Sequence, residues 1–254
     1  MERLFIRISY NDLSFAARDL QSKERMAYEQ YSIHNGIAMA ANFRNALKDG
    51  KLLSYSYKHA TTLINSPVLL IPLQEFNADD VETLYHYTIT GMEGNLVMYQ
   101  ELPNLNAVAI FCINKDLKLV IDEHFDEAQY LPLAYPVWNH LHRHSFTGVR
   151  KKLYVYFHDK QMEVCSFDKN RFKFCNSFDA DNAHDAVYYI LYVWQQLGYN
   201  AQHDEIHIMG NVPETEWMME VLHHHVQKVV HNLQLSIDNN QIPFDLQVLF
   251  AEQI

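Results

Sequence analysis

The chain has 254 residues, 48% hydrophobic and 20% charged, which is enough to bury one large core or two moderate ones and argues against intrinsic disorder. Its 20 Lys and Arg against 31 Asp and Glu give a net charge of −11, so a phosphate backbone is repelled and nucleic acid is not an expected partner. No stretch reaches the roughly 20 apolar residues of a membrane helix.

Leu4–Ser9 is a short apolar run of the kind a central strand gives. Asn11 and Asp12 supply turn chemistry, Leu13–Arg18 returns, and Met26–Ser32 reads as a third, more exposed strand. A helix is expected from about Gly36, with Asp49-Gly50 as its C-terminal stop. Residues 51–104 depart from this pattern and read as an insertion. Within it lie strand candidates Thr61–Asn65, Val68–Ile71 and Asn95–Glu101, and a helix capped by Asn77. Ala107–Ile113 is apolar throughout, as a strand covered on both faces would be. Asn114 caps a helix to about Phe125, Gln129–Ala134 is a further strand candidate, and Pro136 opens another helix. Ser145–Gly148 breaks the periodicity and serves as the expected domain boundary.

The second half repeats the first. Lys152–His158, Gln161–Ser166 and Arg171–Phe178 read as three strands, and Asp181-Asn182 starts a long helix whose apolar face is Ala186, Val187, Ile190, Val193, Trp194 and Leu197. Glu205–Gly210 is a strand entering a glycine turn. A helix opened by Pro213, a strand at Val229–Leu233 and a terminal helix at Phe244–Phe250 follow. The expected fold class is α/β, with domains at 1–148 (including the insertion 51–104) and 149–254.

A strand–strand–strand–helix layout that occurs twice resembles the actin-like ATPase superfamily, which carries two ribonuclease-H-like domains. Ser66–Pro72 and Pro243–Leu246 make the chain more closely similar to an uncharacterised Bacteroidetes family, a domain of unknown function associated with that fold. Degenerate actin-like domains of pilus-assembly and type II secretion proteins are the wider comparison. Active members of the superfamily bind ATP through Asp-x-Gly-type turns at each first hairpin, where glycine lets backbone amides approach phosphate and the Asp organises a metal-bound water.

Here the corresponding turns are Tyr10-Asn11-Asp12 and His158-Asp159-Lys160, both without glycine. Asp12 and Asp159 are the carboxylates that remain, and Asp is also a common turn residue. The stretch matching the adenosine loop is Gly210-Asn211, with one glycine of the usual pair, and a lone glycine also permits a tight strand-to-helix turn. The resemblance therefore implies either a non-catalytic scaffold with a protein partner and no cofactor, or a protein that binds ATP with Mg through Asp12, Asp159, Gly210 and Asn211. A two-metal nuclease is excluded as an expectation because Leu4–Ser9 and Leu153–Phe157 hold no acid.

Other features carry less. His140 and His144 share a helix face but lack the Glu of a zinc-protease helix. His223, His224 and His225 cannot share one face. The tyrosines at 188, 189 and 192 leave part of their helix for a partner. Cys112, Cys165 and Cys175 have no CxxC spacing, and Met1–Arg7 has no leader-like apolar stretch, so reduced thiols in a cytoplasm are expected.

Overall fold

The structure is a computed structural model describing residues 3–19, 26–169, 171–231 and 241–251. In chain order, the first half holds β1 (Arg3–Ile8), β2 (Asp12–Arg18), β3 (Met26–Ser32), α1 (Met39–Asp49), β4 (His59–Ile64), β5 (Leu69–Pro72), α2 (Val81–Thr88), β6 (Leu96–Leu102), β7 (Ala107–Ile113), α3 (Lys115–His124) and β8 (Glu127–Pro132). Then follow α4 (Tyr135–Ser145), β9 (Lys152–His158), β10 (Gln161–Phe167), β11 (Phe172–Asp179), α5 (Ala183–Gln196), β12 (Glu205–Gly210), α6 (Thr215–His225), β13 (Lys228–His231) and α7 (Phe244–Ala251).

The repeat is explicit in the sheets. One has the order β3-β2-β1-β4-β8 and the other β11-β10-β9-β12-β13. In each, the first three strands are antiparallel and the last two run parallel to the first. This is a mixed α/β, ribonuclease-H-like sheet, present twice.

Two compact units form: Met1–Tyr135 with Ile237–Ile254, and Pro136–Ser236. In the first, Leu4, Ile6 and Ile8 of β1 pack with Phe43 of α1 and Ile121 of α3. The alternate face of β1, through Phe5, packs with Leu246, Leu249 and Phe250 of α7. A strand covered on both faces has little polar alternation, which is why β1 reads as a run. In the second unit, Leu153, Val155 and Phe157 of β9 pack with Ile190 of α5 and Leu222 of α6. Each such fully buried side chain contributes about 1.5–3 kcal/mol.

Three expected placements differ. The strand at His59–Ile64 falls inside 51–104 but is the fourth strand of the main sheet, parallel to β1. Conversely, β7 is not in the main sheet but is the middle strand of a separate antiparallel sheet, β5-β7-β6. It is apolar because Phe111 and Ile113 face the main core while Ile110 and Cys112 face Val81 and Tyr85 of α2. Periodicity reports burial on two faces but not which sheet supplies them. The inserted α+β layer is thus β5, α2, β6 and β7. Third, α7 packs on the first unit, and the chain passes between compact units at Tyr135 and Pro136 rather than at 148 and 149.

Local chemistry sets several ends. Asn114 and Asn182 cap α3 and α5 by accepting from the Leu117 and Asp185 amides. Helix α1 starts at Met39, three residues past Gly36, because the buried Asn42 side chain ties down the preceding loop, accepting from the His34 N–H at 2.8 Å. Asn232 and Leu233 of the last expected strand lie outside the described residues.

Candidate functional site

The carboxyl ends of parallel strands are where open α/β sheets place ligands. In the first unit that edge carries the β1–β2 turn. The Ser9 N–H donates to the Asp12 carbonyl at 3.0 Å. The Ser9 hydroxyl oxygen accepts from both the Asn11 and Asp12 amides, each at 3.2 Å. The amides that a phosphate would approach are thus turned onto a side chain of the same loop.

The Asp12 carboxylate accepts from the Ser14 hydroxyl at 3.1 Å and lies 3.6 Å from Arg7 Nη1. Arg7 Nε in turn contacts both carboxylate oxygens of Asp245, at 3.1 and 2.9 Å. Arg7 and Asp245 are buried at 3% and 0% exposure, which requires a paired charge. Ser14 also bonds Tyr28 Oη at 3.1 Å, and burial raises the pKa of that phenol.

In the second unit the matching turn has two residues, Asp159 and Lys160, with φ of 46° and 64°. Positive φ at both central positions is the geometry of a type I′ hairpin, in which glycine and asparagine are favoured. The Asp159 carboxylate is 9% exposed and lies 3.4 Å from His158 Nδ1. Glu163 Oε1 is 3.8 Å from His158 Nε2, and the Tyr156 ring stacks on the imidazole at 4.9 Å. Burial disfavours charge on His158, but the two carboxylates outweigh it and push its pKa up to about 9. The ring is thus held between two acids, which favour its charged form.

Gly210 ends β12 at φ 85°, opposite Phe157 of β9. A Cβ there would stand 2.0 Å from the Phe157 carbonyl oxygen. The glycine is needed for close approach of two strands. The Asn211 N–H donates to the same carbonyl at 3.0 Å. Glu214, in the left-handed region at φ 42°, precedes the first turn of α6, and Glu216 lies within that turn.

The structure thus brings Asp159, Gly210 and Asn211 to adjacent strand ends of the second unit, while Asp12 holds the equivalent edge of the first. Sequence reasoning missed Arg7, Asp245, Ser9, His158 and Glu163. The one available signal was Arg7, a charge within an otherwise apolar run.

Elsewhere, the His140 and His144 rings meet at 4.4 Å. Burial, His144 and Arg143 press the pKa of His140 down to about 4. Among the described residues no group of three or more His, Cys, Asp or Glu is arranged to hold a metal ion. Cys165 and Cys175 face each other across β10 and β11 as free thiols, with pKa values raised by burial. His224 Nδ1 lies 2.7 Å from the Glu220 carbonyl on the last turn of α6. Among the described residues no helix is long and apolar enough to cross a membrane.

A crystal structure of a Bacteroides thetaiotaomicron protein, described as having an actin-like ATPase fold and unknown function, is similar at 28% identity, with 98% of this chain and 95% of that one covered and a TM-score of 0.84. The cytoplasmic domain of EpsL, an inner-membrane component of the Vibrio cholerae type II secretion system, is similar at 11% identity, with 100% and 94% covered and a TM-score of 0.50. A chain of the PilM–PilN type IV pilus biogenesis complex follows at 9% identity, 91% and 88% coverage and a TM-score of 0.52. A search of curated proteins finds no match. The fold is an actin-like ATPase fold. The family described as protein of unknown function (DUF3822) matches residues 1–229, and the chain belongs to that family.

Proposed function

We propose that this protein is a non-catalytic actin-like interaction or scaffold protein. One observation carries the reading: in both hairpins and at the end of β12, the groups an active relative would turn toward nucleotide are engaged within the fold. The Asn11 and Asp12 amides are taken by Ser9, the Asp159 carboxylate faces His158, and the bare side of Gly210 faces the Phe157 carbonyl.

Charge supports the same reading. The Arg7 guanidinium beside Asp12 and the His158 ring beside Asp159 each oppose a divalent cation at the two retained carboxylates. Glu214 and Glu216 add negative charge at the start of α6, next to Gly210-Asn211. These residues fit ATP with Mg poorly. The fold also occurs in a secretion-system component and in a pilus biogenesis complex, so a role in assembly is compatible with it.

Thermal unfolding with millimolar Mg-ATP tests the reading. The melting temperature is expected to stay unchanged. A ligand present at a hundred times its Kd stabilises by about 2.7 kcal/mol, and a rise of that size would favour a nucleotide-binding role through Asp12, Asp159, Gly210 and Asn211.

A further inference from the structure

The inserted layer differs from the rest of the chain in charge. From His59 to Asn114, 56 residues, there is no lysine or arginine. The same segment holds six carboxylates, Glu75, Asp79, Asp80, Glu82, Glu93 and Glu101, and all six are exposed. It therefore carries −6 of the net −11.

Apolar side chains are exposed in the same layer. Tyr87 of α2 is 89% exposed, and Leu84, three residues earlier and on the same helix face, is 38% exposed. Tyr99 of β6 is 45% exposed and packs against Phe76. Val97 packs with Val81 and Tyr85 of α2, so by strand alternation Tyr99 and Glu101 lie on the side of the sheet that α2 covers. Leu84 and Tyr87 thus put apolar surface into solvent on the same layer that carries the six exposed carboxylates.

We propose that the α2 side of this layer docks a basic, apolar segment of a partner protein. The inference rests on the interaction reading above and names its surface and partner chemistry. Leu84 and Tyr87, on one face of α2, supply the apolar contact, with the Tyr87 ring able to stack on arginine. Asp80, four residues before Leu84, lies on that face, and the other carboxylates of the layer favour positive charge through their field. A second copy of the chain is disfavoured as occupant, because two such faces together would bring like charges against one another.

The test uses two synthetic amphipathic peptides of about 18 residues, one of leucine and lysine and one of leucine and glutamate. Binding is followed by fluorescence anisotropy at about 50 and about 300 mM salt. The leucine–lysine peptide is expected to bind, the leucine–glutamate peptide is not, and affinity is expected to fall about tenfold between the two salt levels. Tyr87→Ser with Leu84→Ser, and separately Asp79→Asn with Asp80→Asn and Glu82→Gln, are each expected to weaken binding about tenfold. Tyr188→Ser on α5 is expected to leave it unchanged. All of these side chains are exposed, and circular dichroism of each variant checks that it folds.

Absence of binding, equal binding of both peptides, or indifference to the α2 substitutions overturns the proposal. So does a dimer in sedimentation that Tyr87→Ser dissociates, since a second copy would then be the occupant. ATP turnover measured on the same samples keeps the two readings apart. No turnover with no peptide binding rejects this surface alone, whereas turnover rejects the non-catalytic reading whatever the peptides do.

Discussion

Gly210 and His158 show how single residues can carry a different role from the one their type suggests. A glycine after a strand invites a reading as a ligand loop, yet the Phe157 carbonyl fills the space its missing side chain leaves. Gly210→Ala should therefore destabilise the protein by about 3 kcal/mol or more, from the clash and the left-handed φ together. Urea unfolding checks this, and a loss under about 0.5 kcal/mol would contradict it. His158 gives a pH signature. Its ordinary value is 6.5 and the folded value is about 9, so its contribution is complete below about 6.5 and is lost as pH rises through about 9. The melting temperature of the native chain should fall relative to that of His158→Gln as pH is raised across this window. Parallel curves would show that the Asp159–His158–Glu163 cluster does not stabilise the fold.

At the scale of elements, the strands of the two main sheets and most helices were legible because their signals are local. Asn114 and Asn182 cap the helices they announce, and the two three-strand runs pair as their turns imply. What was not legible depends on contacts distant in sequence. Nothing near Arg7 or Asp245 points from one to the other, since 238 positions separate them, and with them the docking of α7 on the first unit stayed hidden. The sheet to which β7 belongs was hidden for the same reason. This pair also makes a prediction about the element it fastens. Asp245→Ala leaves a buried guanidinium without its main partner and should cost about 3–5 kcal/mol, with early proteolysis near α7. Replacing both, Arg7→Met with Asp245→Leu, should recover most of that loss because neither member of the most deeply buried pair is left behind alone. Equal instability of the single and double variants in chemical denaturation would show that packing of α7, not the ion pair, is at stake.

Across the whole molecule, one sheet order is used twice, and the turns at its strand ends bond to groups of the chain itself. The missing glycines were legible in the sequence, but their replacements were not. Ser9 capping its own turn, and His158 holding Asp159, depend on side-chain geometry that residue type leaves open. The two aspartates that resemble a phosphate site each lie beside a basic side chain of the chain itself. The most direct test of this account is steady-state ATP turnover of the purified chain with millimolar Mg-ATP, followed by phosphate release. The account predicts no release above that of buffer, for the native chain and for Asp12→Ala and Asp159→Ala alike. Steady turnover by the native chain that either substitution abolishes would contradict it.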